Sequence, residues 1–179
     1  MGVTLEQDLK TELLDMIQIG IIQRVIEAVS LDDGTSKGKF TTSEDKPFIK
    51  DENGVSTSGM FSYSSVVDML LCLYGYTRPD FDLALNRCSR YIFSTKSSQK
   101  LALKILASYL KQTKYHVLVL NPNSDVCKVD AYPDAYFSGM YGHEEPNYPT
   151  CTRSRILFII TFVDCLVLWF SKLQTKHTL

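Results

Sequence analysis

The chain has 179 residues, of which 45% are hydrophobic and 22% charged, a composition typical of a globular protein with length for one domain or two small ones. Its formal net charge of −1 excludes the overall basic character that marks many nucleic-acid-binding proteins. The five cysteines form no Cys-x-x-Cys pair and no secretory signal sequence precedes them, so we expect reduced thiols and an intracellular location, with cytoplasm and nucleus both open.

Residues 1–33 form the first predicted region, a β-hairpin followed by a helix. Residues 3–5 and 13–17 lie on either side of a polar turn, which is typical of a hairpin. Apolar side chains at helical spacing then indicate a helix, namely Ile21, Ile22, Val25, Ile26 and Val29. We expect Gly34 to end this helix, because glycine readily adopts the left-handed backbone conformation that closes many helices.

Two further regions follow, a loop and a set of helices. Residues 34–59 are polar and without periodicity, which predicts a long flexible loop. Residues 60–115 predict three helices, over 61–74, 79–92 and 97–112. In the third, the apolar stripe is Ala102, Ile105, Leu106, Tyr109 and Leu110. The opposite side is therefore expected to face solvent, and it carries Lys100, Lys104, Ser108 and Lys111.

The predicted helices also carry an uneven distribution of charge. No acidic residue lies between Asp82 and Asp125, although that stretch holds seven cationic residues, Arg87, Arg90, Lys96, Lys100, Lys104, Lys111 and Lys114. A basic face of this kind is typical of a surface that binds a phosphate backbone, and it is equally typical of a solvated helix face. The candidate nucleic-acid-binding residues are Arg87, Arg90, Lys100, Lys104 and Lys111.

Residues 116–179 form the last region, which we expect to be a β-sheet. Strands are predicted over residues 116–120, 128–134, 155–163 and 167–171, with a turn at Asp164-Cys165 between the last two. The apolar run 156–170 also raises the question of a membrane span. It is shorter than the about 20 residues that a spanning helix needs and carries Asp164 near its middle, so two buried strands are expected instead.

One carboxylate, Asp134, ends the predicted strand over residues 128–134. An acid in this position can present its oxygens to a metal ion, or it can accept a hydrogen bond from its own backbone in a simple turn. Cys127, His143 and Cys151 are a further conceivable ligand set, but their spacings fit no zinc site. We therefore expect no functional metal site.

Six segments of the chain are similar, in the same order, to motifs of one family. Residues 63–67, 77–80 and 86–91 are similar to YxSxVGxLLYL, TRPDI and NxxARY. Residues 101–114, 132–139 and 167–175 are similar to ALKRILRYLKGTK, YxDAD[WF]AG and hxWxSKxQ. Together they resemble the polyprotein of copia-type long-terminal-repeat retrotransposons, at the end of the reverse transcriptase and the start of ribonuclease H.

The resemblance implies an α+β fold, with an N-terminal hairpin, a helical thumb and connection region, and an incomplete ribonuclease H-like sheet. It implies that Asp134 corresponds to the first carboxylate of a Mg²⁺ cluster, whose next member is a Glu on the helix after the third strand, a motif that these 179 residues do not contain. The polymerase carboxylates of the family lie in a Tyr-x-Asp-Asp context, whereas Asp32-Asp33 follows a helix. Tyr136 and Asp68 also depart from the family, which has Asp and Gly there.

Two functions remain open from the sequence. One is a catalytically inactive fragment of a copia-type polyprotein, with no cofactor, no small-molecule substrate and no membrane. The other is a non-enzymatic module that binds a nucleic-acid duplex or an RNA–DNA hybrid through the basic helices.

Overall fold

The protein has an α+β fold, as the sequence predicts. The computed structural model describes residues 2–43, 51, 53–55, 59, 61–122, 126–136 and 153–174. The described helices are α1 (Ile19–Ala28), α2 (Tyr63–Tyr76), α3 (Asp82–Ser89) and α4 (Ser97–Gln112). The strands are β1 (Thr4–Gln7), β2 (Leu14–Ile17), β3 (Leu118–Leu120), β4 (Val129–Tyr136), β5 (Arg155–Phe162) and β6 (Cys165–Leu173).

The chain divides into two compact units. The first comprises residues 1–5 and 15–118, and the second comprises residues 6–14 and 119–179. Two three-stranded sheets have the orders β1-β2-β3 and β4-β5-β6. The main cluster of buried hydrophobic residues among those described lies in the first unit, where α1 to α4 direct their apolar stripes inward. Its fully buried side chains include Ile22, Val25, Val67, Leu70, Leu73, Leu85, Leu103, Leu106 and Leu110.

Helix α1 ends earlier than the sequence predicts. Ser30 has a left-handed backbone (φ +56°), its N–H donates to Glu27 O, and the N–H of Leu31 donates to Ile26 O. These two bonds form a Schellman motif, which satisfies the last carbonyls of the helix. The prediction that Gly34 ends α1 is therefore wrong, because a serine takes the left-handed position and Gly34 (φ +73°) lies in the turn that follows.

Helix α4 is buried on two sides, not on one. Residues 31–39, which we call the strap, have no helix or strand and lie along α4, where the N–H of Lys39 donates to Ser108 O at 3.1 Å. Residues 34–43 are a loop, as predicted, but this hydrogen bond fixes the loop to a helix. Ser108 is only 8% exposed, so the prediction that it faces solvent is wrong.

The strap passes α4 at a glycine. A Cβ atom built on Gly38 would lie 2.7 Å from Cβ and 3.0 Å from Cα of Gln112, which is closer than side chains approach one another in proteins. The backbone of the strap can therefore reach α4 only because residue 38 has no side chain.

In the second unit, β4, β5 and β6 form an antiparallel sheet whose register sorts the side chains onto two faces. Phe158 lies between Pro133 and Phe170, and Leu157 lies between Asp134 and Ser171. Residues directly opposite one another point to the same face. We call the first face the apolar face; it carries Val129, Ala131, Pro133, Ala135, Ile156, Phe158, Ile160, Phe162, Cys165, Leu168, Phe170 and Lys172. The other face, the mixed face, includes Asp130, Tyr132, Asp134, Arg155 and Ile159.

The turn between β5 and β6 lies one residue before its predicted place. It consists of Val163 (φ +50°) and Asp164 (φ +65°), not of Asp164-Cys165. Positive φ at both central residues is the signature of a tight two-residue hairpin turn, which normally uses Asn and Gly. A β-branched residue in this conformation cannot be anticipated from the sequence.

The apolar run 156–170 forms parts of two strands joined by a turn, as predicted. The prediction that both strands are buried is wrong, because Ile156, Leu168 and Phe170 are 41%, 49% and 41% exposed. Among the described residues, no helix has the length and hydrophobicity that crossing a bilayer requires.

We predict that Gly38→Ala lowers the free energy of unfolding by about 1–2 kcal/mol, because the added methyl group forces the strap away from α4. The matched control is Gly20→Ala in α1, where an added Cβ meets no atom within 4 Å. Alanine favours a helix over glycine, so this variant should gain up to about 1 kcal/mol. Urea unfolding followed by circular dichroism measures both values, and equal stability of the two variants would contradict the prediction.

Candidate metal position and candidate nucleic-acid interface

Asp134, the candidate metal ligand, lies on β4 as an exposed side chain. Its Oδ1 accepts a hydrogen bond from the N–H of Ala135 at 2.8 Å, so the carboxylate has a local backbone partner. Asp130 is the next acid on the mixed face, four residues away and about 13 Å along the strand, which is too far for a shared ion. Asp130 is also engaged, because its Oδ2 lies 2.8 Å from the ammonium group of Lys128 and raises the pKa of that lysine.

No metal cluster forms around Asp134 in the part of the chain that the structure describes. Groups of three or more His, Cys, Asp or Glu side chains able to hold an ion do not occur among these residues. Of the conceivable zinc ligands, Cys127 is exposed, while His143 and Cys151 lie outside the described residues. A lone carboxylate binds Mg²⁺ poorly, because the ion prefers six ligands in octahedral geometry.

The five candidate nucleic-acid-binding residues do not form the expected solvent face. Three of them, Arg87, Arg90 and Lys104, are half-buried. Arg87 lies on α3, Arg90 directly follows α3, and Lys104 lies on α4. The guanidinium of Arg90 lies 5.5 Å from the ring centroid of Tyr91, a cation–π contact.

Lys100 is a buried residue of α4. It is only 5% exposed, and its Nζ lies 5.3 Å from the ring centroid of Phe61, just before α2. The prediction that Lys100 faces solvent is wrong. The apolar stripe predicts one buried side of α4, whereas Lys100, which lies outside that stripe, is buried as well and contacts the Phe61 ring.

Lys111 uses its ammonium group to hold the strap. Its Nζ donates to the carbonyl oxygens of Leu31 at 2.6 Å and Ser36 at 2.9 Å, and it lies 3.0 Å from Ser36 Oγ. Lys114 is similarly engaged, since its Nζ donates to Gln23 Oε1 at 2.7 Å. The prediction that Lys100, Lys104 and Lys111 share a solvent face is therefore wrong, because two of the three ammonium groups bind within the first unit.

A polar network that the sequence does not predict is centred on Arg78, which is 3% exposed. Its guanidinium donates to both carboxylate oxygens of Asp80, from Nε at 2.8 Å and from Nη2 at 2.7 Å. It also donates to the carbonyl and hydroxyl oxygens of Thr113, just after α4, at 3.0 and 2.8 Å. The only sequence signal for this network is the Arg-Pro-Asp segment, which interrupts two helical patterns.

Tyr109 completes the network and, together with Arg78, lowers the pKa of Asp80. The Tyr109 hydroxyl donates to Asp80 Oδ2 at 2.7 Å, and the Arg78 guanidinium lies 5.6 Å from the Tyr109 ring centroid. Burial acts to raise the pKa of Asp80, but the hydrogen bonds from Arg78 and Tyr109 and the charge of Arg78 outweigh it and lower that pKa below its ordinary value. Burial, reinforced by Asp80, raises the pKa of Tyr109.

Cys88 is a core thiol and not a nucleophile. It is 3% exposed, and burial raises its pKa to about 12, so the thiolate that a nucleophile requires is scarce at neutral pH. The hydroxyl of Tyr63 donates to Cys88 O at 2.9 Å and joins α2 to α3.

Comparison with known proteins adds no relative: the chain matches no protein-family model, no curated protein and no solved structure.

We predict that Asp80→Asn lowers the free energy of unfolding at pH 7 by about 2 kcal/mol, because Arg78 stays buried without its counter-charge. The pKa of Asp80 is lower in the folded state than in the unfolded state. Its contribution is thus fully present above the ordinary pKa near 4 and is lost as the pH falls towards the folded-state value. Urea unfolding at pH 7, 5 and 3 should show the difference from wild type shrinking at pH 3.

The control for this experiment is Asp68→Asn, which changes an exposed carboxyl on α2. It should alter stability by less than about 0.5 kcal/mol at every pH. A constant deficit of Asp80→Asn from pH 7 to pH 3 would mean that the carboxylate charge does not stabilise the fold.

Proposed function

We propose that the chain is a piece of a copia-type retrotransposon polyprotein, in which the end of the reverse transcriptase runs into the start of ribonuclease H, and that these 179 residues have no catalytic activity. The observation that carries the proposal is the series of six motif-like segments between residues 63 and 175, all in the family's order. Several ordered motifs are far more specific than any one of them.

The second unit supports this proposal through its strand order. The resemblance implies that Asp134 ends the first strand and that a helix follows the third. Strands β4, β5 and β6 are consecutive, and Asp134 lies two residues before the end of the first of them.

The segment Thr77–Asp80, which is similar to TRPDI, has a structural role in this chain. Arg78 and Asp80 link the start of α3 to the end of α4 through Thr113 and Tyr109. Thr77 donates from its hydroxyl to Gln18 Oε1 at 3.0 Å, just before α1. This motif therefore needs no catalytic role to explain its place in the fold.

The absence of activity follows from the carboxylates. Ribonuclease H chemistry uses two metal ions about 4 Å apart, held by several acids. Among the described residues, Asp134 has no such neighbours. The sequence contains no Tyr-x-Asp-Asp, and Asp33 shapes the turn after α1 by accepting hydrogen bonds from Thr35 and Ser36.

We predict that the purified chain does not cleave an RNA–DNA hybrid in the presence of Mg²⁺ or Mn²⁺, and that Asp134→Asn leaves this result unchanged. A labelled hybrid resolved on a denaturing gel gives the measurement, with an active ribonuclease H as the positive control. Cleavage by the wild type that disappears in Asp134→Asn would show that other acids complete the site, and would overturn the proposed inactivity.

The polyprotein origin has a separate test in the nucleotide sequence that flanks the reading frame. The proposal expects a Tyr-x-Asp-Asp segment to be encoded upstream and the family's Glu motif downstream. Flanking sequence without either motif would contradict it.

The alternative function, nucleic-acid binding without catalysis, rests on the cationic stretch between Asp82 and Asp125. The structure narrows the candidate residues, because Lys100 and Lys111 direct their ammonium groups into the first unit. Arg87, Arg90 and Lys104 are left as a partly accessible set. Three phosphate contacts would give weak, sequence-independent binding with a log–log salt slope of about −3.

We predict that, if this surface binds a duplex or a hybrid, the double variant Arg87→Gln/Lys104→Gln reduces the magnitude of the salt slope by about 2. The matched control is Lys10→Gln/Lys37→Gln, which removes two charges from exposed positions elsewhere. Fluorescence anisotropy with labelled duplex, hybrid and single strand at several salt concentrations gives the slopes. Equal slopes for the two double variants would show that the cationic stretch is structural.

A further inference from the structure

The apolar face of the β4-β5-β6 sheet is a hydrophobic surface with a single charge. Of its twelve side chains, only Lys172, near the end of β6, is charged. Phe158 and Phe170 stack at its centre with ring centroids 5.2 Å apart. The acids of β4 and Arg155 of β5 all lie on the mixed face.

This face is accessible. Leu168 is 49% exposed, and Ile156 and Phe170 are each 41% exposed. On β4, Ala131, Pro133 and Ala135 are exposed as well. Contiguous exposed apolar surfaces of several hundred Å² are often functional.

We propose that the apolar face binds the apolar face of a second copy of this chain. It offers no acids and one cation, so it has nothing that selects a nucleic acid or a strongly charged protein. A second copy supplies an apolar surface of the same width and length. The net charge of −1 gives two copies almost no mutual repulsion.

The charges at the ends of the sheet fix the orientation of the pair. One end is the turn with exposed Asp164, while the other end carries exposed Lys172, and Leu168 lies midway between them on β6. Lys128, also at the turn end, lies 2.8 Å from Asp130, and its pKa is raised by Asp130 and to a lesser extent by Asp164. We place a two-fold axis midway between the two sheets, level with Leu168 and perpendicular to the strands. This axis sets Lys172 of each copy against Asp164 of the other. Such a symmetric contact is closed, so the assembly is a dimer.

The area of the face limits how much surface a dimer can bury. Three strands about 4.8 Å apart and eight residues long span roughly 14 by 27 Å. Two such faces bury less than the about 1,200 Å² of a stable interface. The dimer is therefore weak, with a dissociation constant on the order of 10–100 µM.

The test compares two substitutions on the same strand. Ile156→Lys puts a charge on the apolar face and Ile159→Lys puts one on the mixed face, at positions that are 41% and 38% exposed. Sedimentation equilibrium of the full chain from about 5 to 500 µM should show a reversible monomer–dimer transition for the wild type and for Ile159→Lys. Ile156→Lys should stay monomeric, and circular dichroism shows whether each variant is folded.

A second variant tests the orientation and does not depend on the fate of Ile156→Lys. Lys172→Glu sets like charges against each other and should raise the dissociation constant about tenfold. Adding Asp164→Asn removes the repulsion and should restore most of the affinity, since Asn tolerates the positive φ of that position.

Four results overturn the proposal. Three of them are a wild-type chain that stays monomeric at 500 µM, an Ile156→Lys variant that dimerises as the wild type does, and a wild type that forms large aggregates instead of dimers. A monomer that co-sediments with neutral phosphatidylcholine vesicles also overturns it, because the occupant of the face would then be a lipid surface.

Discussion

The first unit depends on the burial of one cation, the guanidinium of Arg78. This group is 3% exposed, and the cost of removing it from water is offset by four hydrogen bonds, two to Asp80 and two to Thr113. Those bonds join the chain before α3 to the chain after α4. Thr77, one residue earlier, reaches Gln18 before α1, so three helices meet at this short segment.

The sequence predicts the elements well and the surroundings of α4 poorly. Helices α1, α2 and α4 follow their apolar stripes, and the strands follow runs of β-branched and aromatic residues, because repeated spacing reports burial directly. The strap has no such repeat. Its contacts with α4 depend on one small residue, Gly38, and on backbone oxygens that Lys111 binds. The sequence therefore does not show that the ammonium group of Lys111 binds within the first unit.

Two local conformations were unpredictable for a related reason. Ser30 and Val163 have positive φ angles at positions where glycine or asparagine would be expected. In both places the surrounding hydrogen bonds impose the conformation. For the candidate metal position, the sequence correctly places Asp134 on a strand. The Arg78 network joins residues 35 positions apart, and the only part of it visible in the sequence is the Arg-Pro-Asp segment.

These observations change the meaning of the cationic stretch. A run of lysines and arginines without acids suggests a surface for phosphates, yet Lys100, Lys111 and Lys114 bind an aromatic ring, backbone carbonyls and an amide of the same unit. Much of the local charge thus stabilises the fold. A charge count along a chain reports an interface only when the charged atoms reach solvent.

Pro133 controls how the second sheet can grow. The N–H of Val163 donates to Lys128 O, so residues 128 and 163 form a hydrogen-bonded pair. In an antiparallel ladder hydrogen-bonded and non-hydrogen-bonded pairs alternate, so this pair defines the type of every other pair between β4 and β5. Residue 133 is then in a non-hydrogen-bonded pair, and its backbone nitrogen points away from β5. The N–H that proline lacks therefore removes no hydrogen bond between β4 and β5. A strand added along the outer edge of β4 would find no donor there. The proline therefore leaves the existing pairing intact and disfavours the edge-to-edge polymerisation to which open sheets are prone.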